Sequence, residues 1–173
     1  MKWAFLLLVA ASCGVRTERI VPTVSPPSTP LGAHVVRAVE TSSRYSAAGL
    51  RVVSPSDLET VLREGLSRAG MSGPGGRYVL HVEIAKLEGG AMGFSSYAIV
   101  AADARLVDDR DPGWAWVDHP AATPGTFPVP GVEGYTGVDG QRRAFEDAVH
   151  QVATRIVEHV RDTLVRRAAS TGP

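Results

Sequence analysis

The sequence has very little cysteine and lysine, and no asparagine at all. Its single cysteine, Cys13, excludes an internal disulfide. Lysine occurs only as Lys2 and Lys86, so arginine carries nearly all of the positive charge, which is typical of proteins from GC-rich bacterial genomes. The 18 basic residues are balanced by 18 acidic residues. Without an excess of positive charge there is no field to hold a phosphate backbone, which argues against nucleic acid as a partner.

The sequence also lacks an apolar run long enough to span a bilayer. Its longest leading run, Trp3 to Ala11, has nine residues, whereas a transmembrane helix needs roughly 20. Lys2 precedes this run, and small residues close it up to Ser12. A positive start, a short apolar stretch and a small-residue cleavage site are the three parts of an export signal, which we predict to occupy residues 1–12.

The tetrapeptide Ala10-Ala11-Ser12-Cys13 resembles the lipobox of bacterial lipoproteins, although that motif more often has leucine where Ala10 stands. The resemblance implies that the Cys13 thiol is acylated and that Cys13 becomes the new N-terminus. Several acyl chains hold a protein at a membrane durably, because each buried methylene contributes about 0.8 kcal/mol. Gly14 resembles the default signal for sorting to the outer membrane, so we expect a periplasm-facing, lipid-anchored protein. An ordinary secretory signal with an incidental cysteine is the alternative.

The remaining 161 residues are enough for one domain with its own core. Residues 13–32 contain four prolines among serine and threonine, which predicts an acylated N-terminus followed by an extended, solvated tether. We predict that residues 33–167 form a single α+β domain and that residues 168–173 form a disordered tail.

Hydrophobic periodicity predicts the elements of this domain. Strand patterns cover residues 33–40, 50–53, 78–87, 94–107 and 114–118, with a hairpin connection at 88–93. A first helix begins near Ser56, which has Glu59 at the capping-box position, and ends before Gly70. A second helix covers residues 141–167, after a proline- and glycine-rich loop at 120–140. The pattern predicts a two-layer α+β sandwich of order β(β)αβββα, with two helices on one face of a three- to four-stranded, mostly antiparallel sheet.

The sequence contains no recognisable catalytic or metal-binding motif. The five histidines are scattered, and His150 and His159 fall on opposite sides of the predicted last helix. Asp109 and Asp111 begin a pattern like a calcium loop, but Pro120 stands where the bidentate glutamate is needed. We therefore predict no metal, no cofactor other than the covalent lipid, and no enzymatic activity.

One polar set is a candidate for function. Glu83 and Asp103 approach each other across the predicted hairpin, as paired carboxylates do in acid–base enzymes. A small hydrolase could combine either carboxylate with His81 and Ser95. The alternative interpretation is a solvated sheet face on the side opposite the helices.

An aromatic set is the second candidate. Trp114 and Trp116 are two residues apart on a strand and therefore project to the same face, and Phe127 and Tyr135 follow on the loop. If they are exposed, these side chains form an amphipathic patch of the kind enriched at interfaces, and we name them as candidate partner-binding residues. The alternative is that both tryptophans complete the core or cover the edge of the sheet.

The order of elements behind a lipobox resembles the LPS-assembly outer-membrane lipoproteins and the auxiliary lipoproteins of lipid-transporting ABC systems. Four segments carry the resemblance: SPSDLETVLREGLSRAGM (54–71), YVLHVEIAKLE (78–88), ARLVD (104–108) and AFEDAVHQVATRIVEHV (144–160). These are packing patterns, so no functional residue is transferred. The resemblance implies a non-enzymatic accessory or assembly subunit that docks an envelope protein complex, in lipid or LPS transport. A lone lipid- or peptidoglycan-binding lipoprotein and a small envelope hydrolase are the alternatives.

Overall fold

The computed structural model describes residues 16–44, 53–92, 95–122 and 137–170. The described residues form three helices and four strands. Their order is α1 (Thr17–Ile20), β1 (Val36–Ser43), α2 (Pro55–Arg68), β2 (Tyr78–Met92), β3 (Ser95–Asp108), β4 (Asp111–Asp118) and α3 (Gly137–Ser170).

The four strands form one mixed sheet in the order β1-β2-β3-β4. β1 runs parallel to β2, with α2 as the crossover between them, and the pairs β2–β3 and β3–β4 are antiparallel. Helices α2 and α3 both pack on one face of the sheet. The predicted fold class, an α+β sandwich with a mostly antiparallel sheet, is confirmed.

The strand bounds differ from the prediction mainly at the polar ends of the strands. β1 lies three residues later than predicted, because Thr41 to Ser43 continue the ladder with β2 despite their polar side chains. β2 and β3 pair as far as Met92 and Ser95, so the hairpin is longer than predicted. Of the predicted strand at 50–53 only Val53 is described, and residues 123–136 of the predicted loop lie outside the described residues.

Helix α2 begins two residues earlier than predicted. The N-cap is Ser54, whose Oγ accepts a hydrogen bond from the Asp57 backbone N–H at 3.1 Å, while Asp57 Oδ2 accepts from the Ser54 N–H at 2.9 Å. The predicted capping box of Ser56 and Glu59 is therefore wrong. Pro55 explains the shift, because a proline at the first helical position has no N–H to leave unsatisfied and its fixed φ suits the first turn.

The core forms between the helices and the inner face of the sheet, as the apolar stripes predict. Small residues in β3 and one glycine in β2 let α3 lie close to the sheet. The core side chains of β2 and β3 are Tyr78, Leu80, Val82, Ile84, Ala98, Val100, Ala102, Ala104 and Leu106. Those of α3 are Phe145, Ala148, Val149, Val152, Ile156, Val160 and Leu164. No helix among the described residues combines the length and apolarity needed to cross a membrane.

Residues 16–31, which we call the N-terminal segment, do not form the solvated tether expected from their prolines. Ile20, Val24 and Leu31 are buried, and α1 packs against both α2 and α3. A Cβ atom at Gly65 of α2 would lie 3.0 Å from Pro22 Cδ, so the absent side chain makes room for the segment. Burial of these three apolar residues therefore holds the segment on the domain, although its composition is polar and rich in proline.

Both ends of α3 differ from the prediction, because the helix begins at Gly137, inside the predicted loop, and ends at Ser170. Residues 168–170, expected in a disordered tail, continue the helix to Ser170. Ala168 packs partly against the core, and Ser170 Oγ donates to the Arg167 backbone oxygen at 2.9 Å. Residues 171–173 lie outside the described residues.

We predict that α3 packs this closely on the sheet because Gly89 of β2 has no side chain. A Cβ atom there would overlap the Phe145 ring, whereas a Cβ at Gly75 would meet no atom within 4 Å. Gly89→Ala should lower the free energy of unfolding by about 1–3 kcal/mol, because overpacking displaces either the ring or the strand. Gly75→Ala, the control, should change it by less than about 0.5 kcal/mol. Urea denaturation of both variants measures the difference, and equal stabilities would contradict the close contact.

Candidate functional site

The sheet face opposite the helices is open, and we call it the outer face. It is formed by side chains that alternate with the core residues along the four strands. No other helix or strand of the described residues lies on it. Its central side chains, which line a shallow depression, are Glu40, His81, Glu83, Asp103, Arg105 and Val117.

Strand register places Glu83 directly opposite Asp103 at the centre of the outer face. Two facing carboxylates repel each other, and the structure neutralises them with Arg44, which follows β1. Arg44 Nε donates to Glu83 Oε2 at 2.8 Å, and Arg44 Nη2 donates to Asp103 Oδ2. The hydrogen bond with Glu83, together with the charges of both carboxylates, raises the pKa of Arg44. The three groups therefore form one ionic row across three strands.

Two histidines extend this polar pattern to both sides. His119 Nδ1 lies 2.7 Å from the other oxygen of Asp103, and His81 Nδ1 lies 3.1 Å from Glu40 Oε2. The side chains of His81 and His119 are 45% and 71% exposed. Most of the charge on the outer face is thus already arranged in fixed, oriented pairs that water can reach.

An apolar side chain stands next to the ionic row. Val117 of β4 pairs in register with Arg105 of β3 and is 55% exposed, the one large apolar side chain so exposed among the described residues. A single exposed valine is unremarkable on its own. The outer face therefore combines oriented charge pairs with one exposed apolar side chain.

The residues proposed for a hydrolase do not come together. His81 pairs with Arg105, whereas Ser95 pairs with Met92 at the far end of the hairpin. Eight residues separate Ser95 from Asp103 on β3, a span of roughly 26 Å in a strand. The predicted Ser–His–carboxylate set is therefore not a site, and Glu83 and Asp103 lie on a solvated face, as the alternative interpretation expects.

Trp114 and Trp116 lie at the β4 edge, where both are partly buried and pack against the core. The Trp114 ring meets the Tyr78 ring edge-on at 5.6 Å, and the Arg167 guanidinium lies 4.8 Å from its centroid. Trp116 pairs in register with Leu106. The packing favours the interpretation that both rings complete the core, and their exposed parts line a shallow depression with Thr163 and Arg166 of α3. Of the other predicted site residues, Cys13, Phe127 and Tyr135 lie outside the described residues.

Sequence reasoning missed Arg44 and His119. Arg44 follows the polar residues 41–43, which lie beyond the predicted end of the first strand at residue 40, and its partners are 39 and 59 residues away. Only the parallel pairing of β1 with β2 brings them together. Among the described residues there is no group of three or more His, Cys, Asp and Glu side chains that could hold a metal ion.

A buried ion pair fixes the end of the sheet next to this face. Asp108 is fully buried and receives two hydrogen bonds from Arg77, at 2.9 and 2.6 Å, and a third from the Arg110 backbone N–H. Burial alone would raise the pKa of Asp108, but these hydrogen bonds and the charges of Arg77 and Arg167 hold it below its ordinary value. The pair therefore locks the β3–β4 turn to the start of β2.

We predict that Arg77→Ala lowers the free energy of unfolding by roughly 2–3 kcal/mol at neutral pH, because it leaves a buried carboxylate with Arg167 as its remaining cation. The effect should shrink in acid. A carboxylate with a lowered folded-state pKa contributes stability above its unfolded pKa of about 3.9 and loses it as the pH falls through the folded value.

The control for this prediction is Arg37→Ala. Arg37 pairs with the neighbouring Asp109, but both side chains are more than 40% exposed, so its loss should cost less than about 1 kcal/mol. Urea denaturation at pH 7 and pH 3 compares the two variants. Equal losses at pH 7, or a loss at Arg77 that does not depend on pH, would contradict the buried pair.

No family model matches the sequence, and no curated protein matches it. Several solved structures are similar in fold. Protein XCC0632 of Xanthomonas campestris, from the family DUF330, is 19% identical with a TM-score of 0.57, over 87% of this chain and 95% of that protein. A PelC dodecamer from Paraburkholderia phytofirmans is 13% identical, with a TM-score of 0.46 and coverages of 80% and 94%.

A protein of Caulobacter crescentus assigned as a lipoprotein is 14% identical, with a TM-score of 0.44 and coverages of 78% and 93%. At these identities the similarity to XCC0632 concerns the fold alone. This chain therefore shares the fold of that protein.

Proposed function

We propose that this protein is a non-enzymatic, lipid-anchored lipoprotein of the outer membrane, which acts in the periplasm as an accessory or assembly subunit of an envelope protein complex. The observation that carries the proposal is the one-sided architecture. Two helices cover one face of the sheet, while the outer face presents paired charges around Val117. The lipobox at Cys13 supplies the location, and the resemblance to accessory lipoproteins supports lipid or LPS transport as the process.

The physical character of the outer face supports a protein as the partner. Charges held in fixed pairs, such as Arg44 with Glu83 and Asp103, lose little side-chain entropy when a partner covers them. Val117 adds an apolar contact on the edge strand β4, and the neighbouring charges give orientation and specificity. A docking partner would bring charges that complement this row.

The alternative of a lone lipid- or peptidoglycan-binding protein requires an apolar groove or tunnel between helices and sheet. In the described part of the chain, that interface is filled by buried side chains such as Phe145, Leu106 and Ile156. The depressions are open to solvent and have mixed polar and apolar walls, and the one between α2 and β1 is lined by Arg37, Arg63 and Glu64 as well as by Val39. No observation favours this alternative.

The first test concerns the anchor. Cys13→Ala should abolish acylation and move the protein from the membrane fraction to the soluble periplasm, because no other acylation site exists in a chain with one cysteine. Mass spectrometry of the mature N-terminus and fractionation of cells measure both effects. An uncut, unmodified N-terminus in the wild-type protein would defeat the proposal.

The second test concerns docking. A photo-crosslinking amino acid at Val117 should capture a defined envelope protein in living cells, whereas the same probe at Ser67, an exposed position on α2, should not. Arg44→Glu should reduce the crosslinked product by about tenfold or more, because it replaces the cation of the ionic row by a third carboxylate. Equal capture from both probe positions would contradict docking through the outer face.

A further inference from the structure

The N-terminal segment runs along α3 in the direction of that helix. The Arg16 backbone N–H donates to Glu146 Oε1 at 3.0 Å, and one turn later His150 Nδ1 lies 3.2 Å from the Ile20 backbone oxygen. Further on, Pro26 and Pro27 share a depression with Arg161 and its neighbours. Arg16, the first described residue, therefore lies beside the N-terminal part of α3.

Chain length then limits where the lipid can be. Cys13 precedes Arg16 by three residues, which span about 11 Å at full extension. A tether that was free from Cys13 to residue 32 would let the domain move several nanometres from the bilayer. With residues 16–31 packed on the helices, the acylated cysteine stays within about 11 Å of Arg16, and this end of α3 stays at the membrane surface.

The surface at this end carries unpaired positive charge. Arg16, Arg19 and Arg143 are exposed and form no ion pair within the described parts of the chain. Arg142 lies beside them and contacts Glu146, whose carboxylate is buried and already bonded. The opposing charges on the exposed surface are Glu18 and Asp147. The exposed surface thus carries three arginines and two carboxylates, an excess of one positive charge. Guanidinium groups bind phosphate through paired hydrogen bonds, which makes lipid phosphate a fitting ligand for them.

We propose that the N-terminal segment fixes the orientation of the domain on the bilayer, with Arg16, Arg19 and Arg143 against lipid phosphates and Val117 of the outer face held clear of the membrane. The proposal rests on acylation of Cys13, which belongs to the proposed function. The occupant of this arginine surface is the lipid surface that holds the acyl chains. The N-terminal part of α3 lies beside Gly89, which pairs with Ala98, whereas Val117 pairs with Arg105, seven residues further along β3. Contact at this end of α3 therefore keeps Val117 away from the bilayer and accessible to partners in the periplasm.

Fluorescence quenching of the acylated full-length protein in vesicles tests this orientation. The vesicles contain phosphatidylcholine, phosphatidylglycerol and a headgroup-nitroxide lipid. Because Cys13 is the single cysteine and is acylated, a cysteine introduced by Asp147→Cys or by Val117→Cys is the only free thiol for a fluorophore. The proposal expects strong quenching at position 147 and little at position 117.

Two variants separate packing from charge. Ile20→Asp, which removes the buried contact of the segment, should reduce quenching at position 147 to the level of position 117 without affecting acylation. Arg19→Glu with Arg143→Glu should lower the population lying on the membrane by about fivefold per arginine, whereas Arg105→Glu on the outer face is the matched control and should have no effect.

The outcomes distinguish this inference from the function on which it rests. If mass spectrometry finds no acyl chain on Cys13, both fail. If the protein is acylated and bound but positions 147 and 117 are quenched equally, the fixed orientation is overturned while the accessory-lipoprotein function stands. Unequal quenching that survives Ile20→Asp would overturn the role of the segment, and insensitivity to both arginine changes would overturn the lipid contact.

Discussion

Close contact between α3 and the centre of the sheet is the constraint on which the architecture depends. Alanines 98, 102 and 104 present small side chains to the helix, and Gly89 presents none, so that the Phe145 ring reaches the β2 backbone. Dense packing at this short distance buries nearly the whole apolar stripe of α3. Because α3 covers this face, the apolar side chains of the sheet are buried on one side. The outer face is then free to carry charge.

The sequence was sufficient to predict the parts of the fold that depend on local pattern. Alternation along Tyr78 to Ile84 and along Ala98 to Leu106 identified both long strands and the correct inward faces. The apolar stripe from Phe145 to Leu164 likewise predicted the last helix and its buried face. Such patterns are predictable because the period of a strand or helix is a property of consecutive residues. Even here Pro55 was a better guide to the helix start than the pair Ser56 and Glu59.

The parts that escaped prediction depend on contacts between distant residues. The role of Arg44 follows from the parallel pairing of β1 with β2, which no local pattern specifies. The burial of Asp108 follows from its meeting with Arg77, 31 residues earlier. The N-terminal segment is the clearest case. Its composition is typical of a linker, and the one sign of its position is that α2 has no side chain at Gly65, where Pro22 packs. The sequence therefore predicted that Glu83 and Asp103 lie on one face of the sheet, but not that Arg44 joins them in an ionic row.

The separation of 130 residues between the N-terminal segment and its partners on α3 has a consequence for biogenesis. Synthesis delivers the N-terminus first, and the residues of α3 that receive it follow 130 residues later. Until Glu146 and His150 have been made, the first described residues can pack against α2 but not against α3. Docking of the segment on α3 is thus a late step of folding, because it depends on contacts between residues that are far apart in the sequence.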